Sequence, residues 1–187
     1  MITRILFTGC VALALLIVAP VFPGISAGQA RADVTDSEVL FRRKAWEVSF
    51  VSFDDGTYAC LAQVGNTTDS FLIWAYSNNE ARLQFYSTAW HFDNETADIA
   101  LRIDRRPLWT LTNAQLNQNS VFFNLTDEKT SLKFLREVMR GNVLNLLTKG
   151  GKLIERYSLS GSSASIVALS ECVGALDSGG GDANPFD

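Results

Sequence analysis

Trp46-Glu47-Val48-Ser49-Phe50-Val51-Ser52-Phe53, then Asp54-Asp55-Gly56, then Thr57-Tyr58-Ala59-Cys60-Leu61-Ala62-Gln63-Val64 reads as a β-hairpin. From Ala45 to Phe53 the residues alternate, placing Trp46, Val48, Phe50 and, at the end, Ser52 on one face of a strand. Asp54-Asp55-Gly56 supplies the turn, and Thr57 to Val64 is the return strand that carries Cys60. Gly65-Asn66 ends it.

The same rhythm continues along the chain. Phe71 to Tyr76 reads as a third strand, Asn78-Asn79 as a turn and Leu83 to Ser87 as a fourth strand. Asp98 to Ile103, Leu108 to Leu111 and Ser120 to Asn124 are further strands. A last hairpin runs from Val143 to Thr148, through Gly150-Gly151, to Lys152–Leu159. Many short strands between polar turns predict a mainly β fold, an antiparallel β-sandwich or a barrel-like sheet pair, as one domain over residues 45–176.

Two short helices interrupt this pattern. Thr126 is the expected N-cap of the first, with Asp127 and Glu128 in its first turn, Arg136 and Arg140 in its last, and Gly141 at its exit. Leu132, Leu135 and Met139, with Phe134 and Val138, form its expected apolar face. The second helix starts near Gly161-Ser162 at the C-terminal end of the domain and is expected to bury Ile166, Leu169, Val173 and Leu176. Residues 177–187 are rich in Gly and Asp, have nothing to bury, and read as a disordered tail.

At the other end, Arg4 precedes an apolar run from Ile5 to Phe22, followed by Pro23-Gly24 and the small-residue site Ala30-Arg31-Ala32. This is the pattern of a secretory signal over residues 1–32, cut after Ala32, with a cut after Ala27 as the alternative. An uncleaved anchor is the competing reading, against which Pro20, Pro23 and the small-residue site weigh. Cys10 lies before most of the apolar run, where no lipid-attachment site belongs. Residues 33–44 read as an N-terminal segment, with Arg42-Arg43-Lys44 as a solvated entry to the first strand.

Export changes the charge balance. Losing residues 1–32 leaves 155 of 187 residues and removes Arg4 and Arg31, so 14 of the 16 Lys and Arg face all 20 Asp and Glu. The resulting net charge near −6 argues against nucleic acid as the partner. No second long apolar stretch follows, so the processed chain is not expected to be an integral membrane protein.

The two remaining cysteines, Cys60 and Cys172, form an even pair, which in an oxidising compartment reads as a disulfide from an early strand to the last helix. Two buried free thiols are the alternative. A metal site is not expected, because zinc needs four clustered ligands and the chain offers two distant cysteines and one histidine. No cofactor is implied.

No catalytic set stands out. His91, in Trp90-His91-Phe92-Asp93, is the single histidine, and as a lone base between aromatics it reads as packing or loop. Ser160-Gly161-Ser162-Ser163 superficially resembles a nucleophile elbow, but position 165 is Ser165 rather than glycine, and a helix cap explains Ser162 better. A weak anion site at that helix N-terminus stays open. Arg102, Arg105 and Arg106 cluster around Asp104, as an exposed ion-pair group or the edge of a contact surface. Trp46, Trp74 and Trp109 read as core, and Trp90 as the tryptophan available to a partner. The candidate contact surface is therefore Trp90, His91, Arg102, Arg105 and Arg106. Three Asn-x-Thr sequons, at Asn66, Asn94 and Asn124, matter only in a eukaryotic secretory pathway.

The order of features resembles one family: a signal segment, a Trp-initiated strand and a cysteine in the second strand. These are followed by Ala100-Leu101-Arg102-Ile103-Asp104, a helix leading into a hairpin, and Tyr157-Ser158-Leu159-Ser160-Gly161-Ser162-Ser163-Ala164 entering a helix with Cys172. From Ala45 to Leu176 the chain is similar to the invasion-associated locus B family of exported alphaproteobacterial proteins. The resemblance implies a β-sandwich-like periplasmic domain with no known enzymatic activity, linked in some pathogens to host-cell entry. It supplies no catalytic residues. The family often carries extra cysteines in mid-domain, which this chain lacks, and no invasion role is carried over. The expectation is a non-catalytic periplasmic or secreted interaction domain that binds an envelope or periplasmic protein. Alternatives are an inhibitor of a wall-degrading enzyme, with a charged loop around Arg105, or a hydrolase using His91 or Ser162.

Overall fold

A computed structural model describes residues 32–77 and 80–178. Most of the expected signal segment, up to residue 31, the expected turn at Asn78-Asn79 and the expected tail beyond Ser178 lie outside the described residues. The hairpin appears as expected: β2 (Trp46–Phe53) and β3 (Tyr58–Gly65) pair antiparallel with Phe50 opposite Cys60. At the turn, Phe53 N–H donates to Thr57 O, and Asp55 Oδ1 accepts from both the backbone N–H and the hydroxyl of Thr57. This Asx-type geometry closes the loop without a strained non-glycine residue, since Gly56 takes the positive φ of 79°.

Ahead of it lies a strand the sequence did not announce. β1 (Val34–Arg43) pairs with β2, so residues 33–44 are not an entry segment and Arg42-Arg43 belong to a sheet edge. Nearly every residue of β1 is exposed and two register shifts interrupt it. An edge strand bears no one-sided apolar pattern, and charges and bulges along it discourage pairing with other chains. That composition hides it from a periodicity test.

Next come β4 (Asp69–Ala75), β5 (Ala81–Ser87), β6 (Phe92–Ile103), β7 (Trp109–Gln118) and β8 (Ser120–Leu125). Helix α1 (Glu128–Met139), β9 (Val143–Thr148), β10 (Leu153–Ser158) and helix α2 (Ser162–Asp177) complete the order. The strands form one antiparallel ten-stranded sheet, ordered β1-β2-β3-β4-β5-β8-β7-β6-β9-β10, which does not close into a barrel. β6 and β7 are longer than the alternation predicts because their Asn- and Thr-rich ends are solvated.

One face of this sheet builds one core. Val48, Cys60, Phe71, Ile73, Leu83, Phe85, Leu101, Leu144 and Tyr157 all join the same buried cluster. In a flat sheet β4 and β10 would stand roughly 29 Å apart, at about 4.8 Å per strand. Yet the rings of Phe71 and Tyr157 are 5.8 Å apart, and those of Phe85 and Tyr157 5.9 Å. The sheet therefore curls over its own inner face, so a single sheet supplies both layers. The indole N–H of Trp46 donates to Ser158 O at 3.1 Å and joins the two ends of the curl.

The helices differ in detail from expectation. The N-cap of α1 is Asp127, not Thr126: Thr130 N–H donates to Asp127 Oδ2 at 2.7 Å. Its buried face is Ser131, Phe134 and Val138, which leaves Leu132 43% exposed instead of in the core. Burying Ser131 is affordable because its hydroxyl hydrogen-bonds Asp127 O and Leu125 O. In α2, Ile166, Leu169 and Cys172 are buried, while Val173 and Leu176 are only half-buried against the core. Among the described residues no helix is long and apolar enough to cross a membrane.

Candidate functional site

Cys60 and Cys172 form a disulfide, with Cα atoms 6.1 Å apart across a sequence separation of 112. Cys60 points inward from β3, and Cys172 comes down from the buried side of α2, at 0% and 6% exposure. The bond pins the last helix onto the sheet. On the chain-entropy model, closing so long a loop stabilises the fold by about 4–5 kcal/mol.

The junction preceding α2 is locked in a second way. Gly161 is the N-cap, at φ 106°, and a Cβ there would lie 2.5 Å from the Arg43 carbonyl oxygen. Position 161 thus admits glycine on both backbone and steric grounds. Ser162 is not the cap; it is fully buried, and its hydroxyl donates to Val138 O at 2.8 Å, binding the start of α2 to the end of α1. Lys44 Nζ, on the β1–β2 turn, donates to Ser160 Oγ at 2.6 Å beside this junction.

The five candidate contact residues do not share one surface. Trp90 and His91 precede β6 and Arg102, Arg105 and Arg106 lie at its far end, roughly 36 Å along an extended strand at about 3.3 Å per residue. Trp90 is half-buried against the core, 5.8 Å from the Phe92 ring, and its carbonyl accepts from Asn119 Nδ2. His91 is exposed, and among the described residues no side chain hydrogen-bonds to it.

At the arginine end, Asp104 sits in the turn after β6, with φ 52°. Its carboxylate accepts from the backbone N–H groups of Asn142 and Val143 at 3.0–3.2 Å and lies 3.6 Å from Arg106. Arg106 Nη1 donates to Glu137 O and Nη2 to Arg140 O, so this guanidinium caps the C-terminal carbonyls of α1. Arg102 and Arg105 are exposed.

The contribution of α1 to this end was missed in the sequence. Arg106 lines a shallow cleft with Lys133, Arg136, Glu137 and Arg140. Trp109 touches two of these residues: its ring packs edge-on against Phe134, its N–H donates to Glu137 Oε2 at 2.9 Å, and Lys133 Nζ stands 4.9 Å above it. The available signal was the spacing of Lys133, Arg136 and Arg140, which places them along one side of a helix. Nothing in the sequence joins that side to a turn some thirty residues earlier. Among the described residues no group of three or more His, Cys, Asp or Glu is placed to hold a metal ion. Compared with models of known protein families, with curated proteins and with solved structures, the chain matches none.

Proposed function

We propose that the chain is exported and processed to a disulfide-stapled interaction domain of the bacterial envelope, which binds another envelope or periplasmic protein and catalyses no reaction. The observation that carries this reading is the Cys60–Cys172 bond, since such a bond persists in oxidising compartments and is rare in the cytosol. The Arg4 to Ala32 export pattern supports it independently. So does the position of β1, which begins at Val34, just after the expected cut, so cleavage there leaves every strand among the described residues intact. The resemblance to the invasion-associated locus B family points the same way. Ser162, the one serine in an elbow-like setting, spends its hydroxyl on Val138 O inside the fold, which supports a structural role for it.

Mild cross-linking of the tagged protein in its own envelope, followed by purification and identification of what comes with it, tests the reading. One partner recovered repeatedly from wild type and lost on surface substitution is the expected result. No partner at any cross-linker dose overturns it, and would redirect attention to a small-molecule ligand or to His91.

A further inference from the structure

The cleft between α1 and the β6–β7 turn gathers four basic residues, Arg106, Lys133, Arg136 and Arg140, around one acidic residue, Glu137, in an otherwise acidic chain. Among the described residues the ion pairs are Arg42–Glu47, Arg106–Asp104 and Lys149–Asp98. Lys133, Arg136 and Arg140 have none, although all three are exposed and line one cleft with Arg106. The natural helix partner of Lys133 is Glu137, one turn on. Trp109 separates them: the Glu137 carboxylate is taken by the indole N–H while Lys133 rests over the ring face. Asp104 is likewise committed to the backbone N–H groups of Asn142 and Val143. Asp104 is also paired with Arg106, and Glu137 makes no ion pair with Lys133, Arg136 or Arg140, so these three basic side chains face solvent without a direct ionic partner.

Two exposed leucines neighbour these residues in the chain. Leu132, 43% exposed, lies one turn before Arg136, and Leu108, 47% exposed, immediately precedes Trp109. Exposed leucines and a half-buried tryptophan beside arginines are the composition of a protein–protein contact, in which Arg and Trp carry much of the energy. A nucleic acid or an anionic bilayer fits less well. Either presents an extended negative surface, which a domain with a net charge near −6 repels on balance. A protein with a compact group of carboxylates meets only the cleft itself.

We infer that this cleft is the docking surface of the domain and that its occupant is a protein segment presenting clustered Asp or Glu side chains. The inference rests on the interaction-domain reading above and adds to it the surface and the chemistry of the partner. Planar guanidinium groups on Arg136 and Arg140 suit bidentate pairing with carboxylates, and Lys133 adds a mobile point charge.

The test uses the protein as isolated from its host and a fluorescein-labelled oligoglutamate peptide at low ionic strength, followed by anisotropy. Binding that weakens by about tenfold or more in Arg136→Glu/Arg140→Glu, and that falls with added salt, is the expected result. Arg136→Gln/Arg140→Gln keeps helix propensity and should give an intermediate loss, separating charge from any damage to the fold. Equal binding by wild type and both variants, or no binding by any, overturns the assignment. Binding to phosphatidylglycerol vesicles without binding to the peptide also overturns it, in favour of a lipid surface. If cross-linking captures a partner that the charge-reversed variant still holds, the surface is wrong while the interaction reading stands. If no partner is captured at all, that reading fails and takes the assigned occupant with it.

Discussion

The indole N–H of Trp109, on β7, donates a 2.9 Å hydrogen bond to the carboxylate of Glu137, on α1. This bond joins the helix to the sheet, and in this arrangement Glu137 makes no direct ion pair with Lys133. Trp109→Phe keeps the ring contact with Phe134 but removes the donor, and should cost about 1–2 kcal/mol of stability. It should also weaken oligoglutamate binding, because a freed Glu137 can pair with the neighbouring cations. Urea midpoints and peptide anisotropy on the same preparation check both effects.

The disulfide is the largest single contribution named. Cys60→Ala/Cys172→Ala should lower stability by about 4–5 kcal/mol on the chain-entropy model, together with the loss of two buried sulfur contacts. Equilibrium denaturation of the double variant against the oxidised parent measures it. Because both cysteines are buried, mild reductant should act on the folded protein only slowly.

Tyr157 gives the opposite sign. It is 4% exposed between Phe71 and Phe85, and its hydroxyl has no hydrogen-bond partner. Burial raises the phenol's pKa above its usual value, with the charges of Glu155 and Asp69 adding to the effect, so the group is neutral throughout the ordinary pH range. An unpaired buried hydroxyl costs about 1–3 kcal/mol, so Tyr157→Phe should be neutral or stabilising by up to about that much. A lower urea midpoint in this variant would show that the hydroxyl has a partner in solution.

Acid should weaken the fold through its surface aspartates. Asp55 is held below the usual 3.8 by hydrogen bonds from the Thr57 side chain and then its backbone. Asp98 is lowered by the hydrogen bond from Lys149, then by the backbone N–H of Asn113. A depressed folded-state pKa means the unfolded chain binds more protons in that window. The stabilisation is therefore complete above 3.8 and is lost as pH falls through the folded values. Lys149 is raised above 10.5 by Asp98, so its share is present below that value and lost as pH rises through the folded one. The Tm of Asp98→Asn should fall below that of wild type at neutral pH, and the two should converge in strong acid.

The hairpin at residues 46–64 was legible from its alternation around Trp46 and Val48 and its Asp-Asp-Gly turn, although Val51 and Leu61 on the other face are buried in a second, smaller cluster. The disulfide was legible from the even cysteine count combined with the export pattern. β1 was not, because nearly all of it is exposed and only Phe41 packs on the core, so it carries no alternation. Nor was the rotation of α1, where a serine replaces a leucine on the buried side by hydrogen-bonding the carbonyls beneath it. The cleft was half legible: Arg102, Arg105 and Arg106 stood out as a run, but Lys133, Arg136 and Arg140 meet Arg106 through long-range contacts, the Arg106 bonds to the end of α1 and the packing of Trp109 on Phe134. Trp90 and the arginines looked like one surface because they are close in sequence, whereas a twelve-residue strand separates them in space.

Export into an oxidising compartment underlies the whole account, and the intact mass of the protein recovered from its host's periplasmic fraction without reductant tests it most directly. The account predicts a chain beginning at Asp33, lighter than its reduced form by the two thiol hydrogens of Cys60 and Cys172. A cytoplasmic chain that retains residues 1–32, or one whose two cysteines both alkylate without reduction, would contradict it.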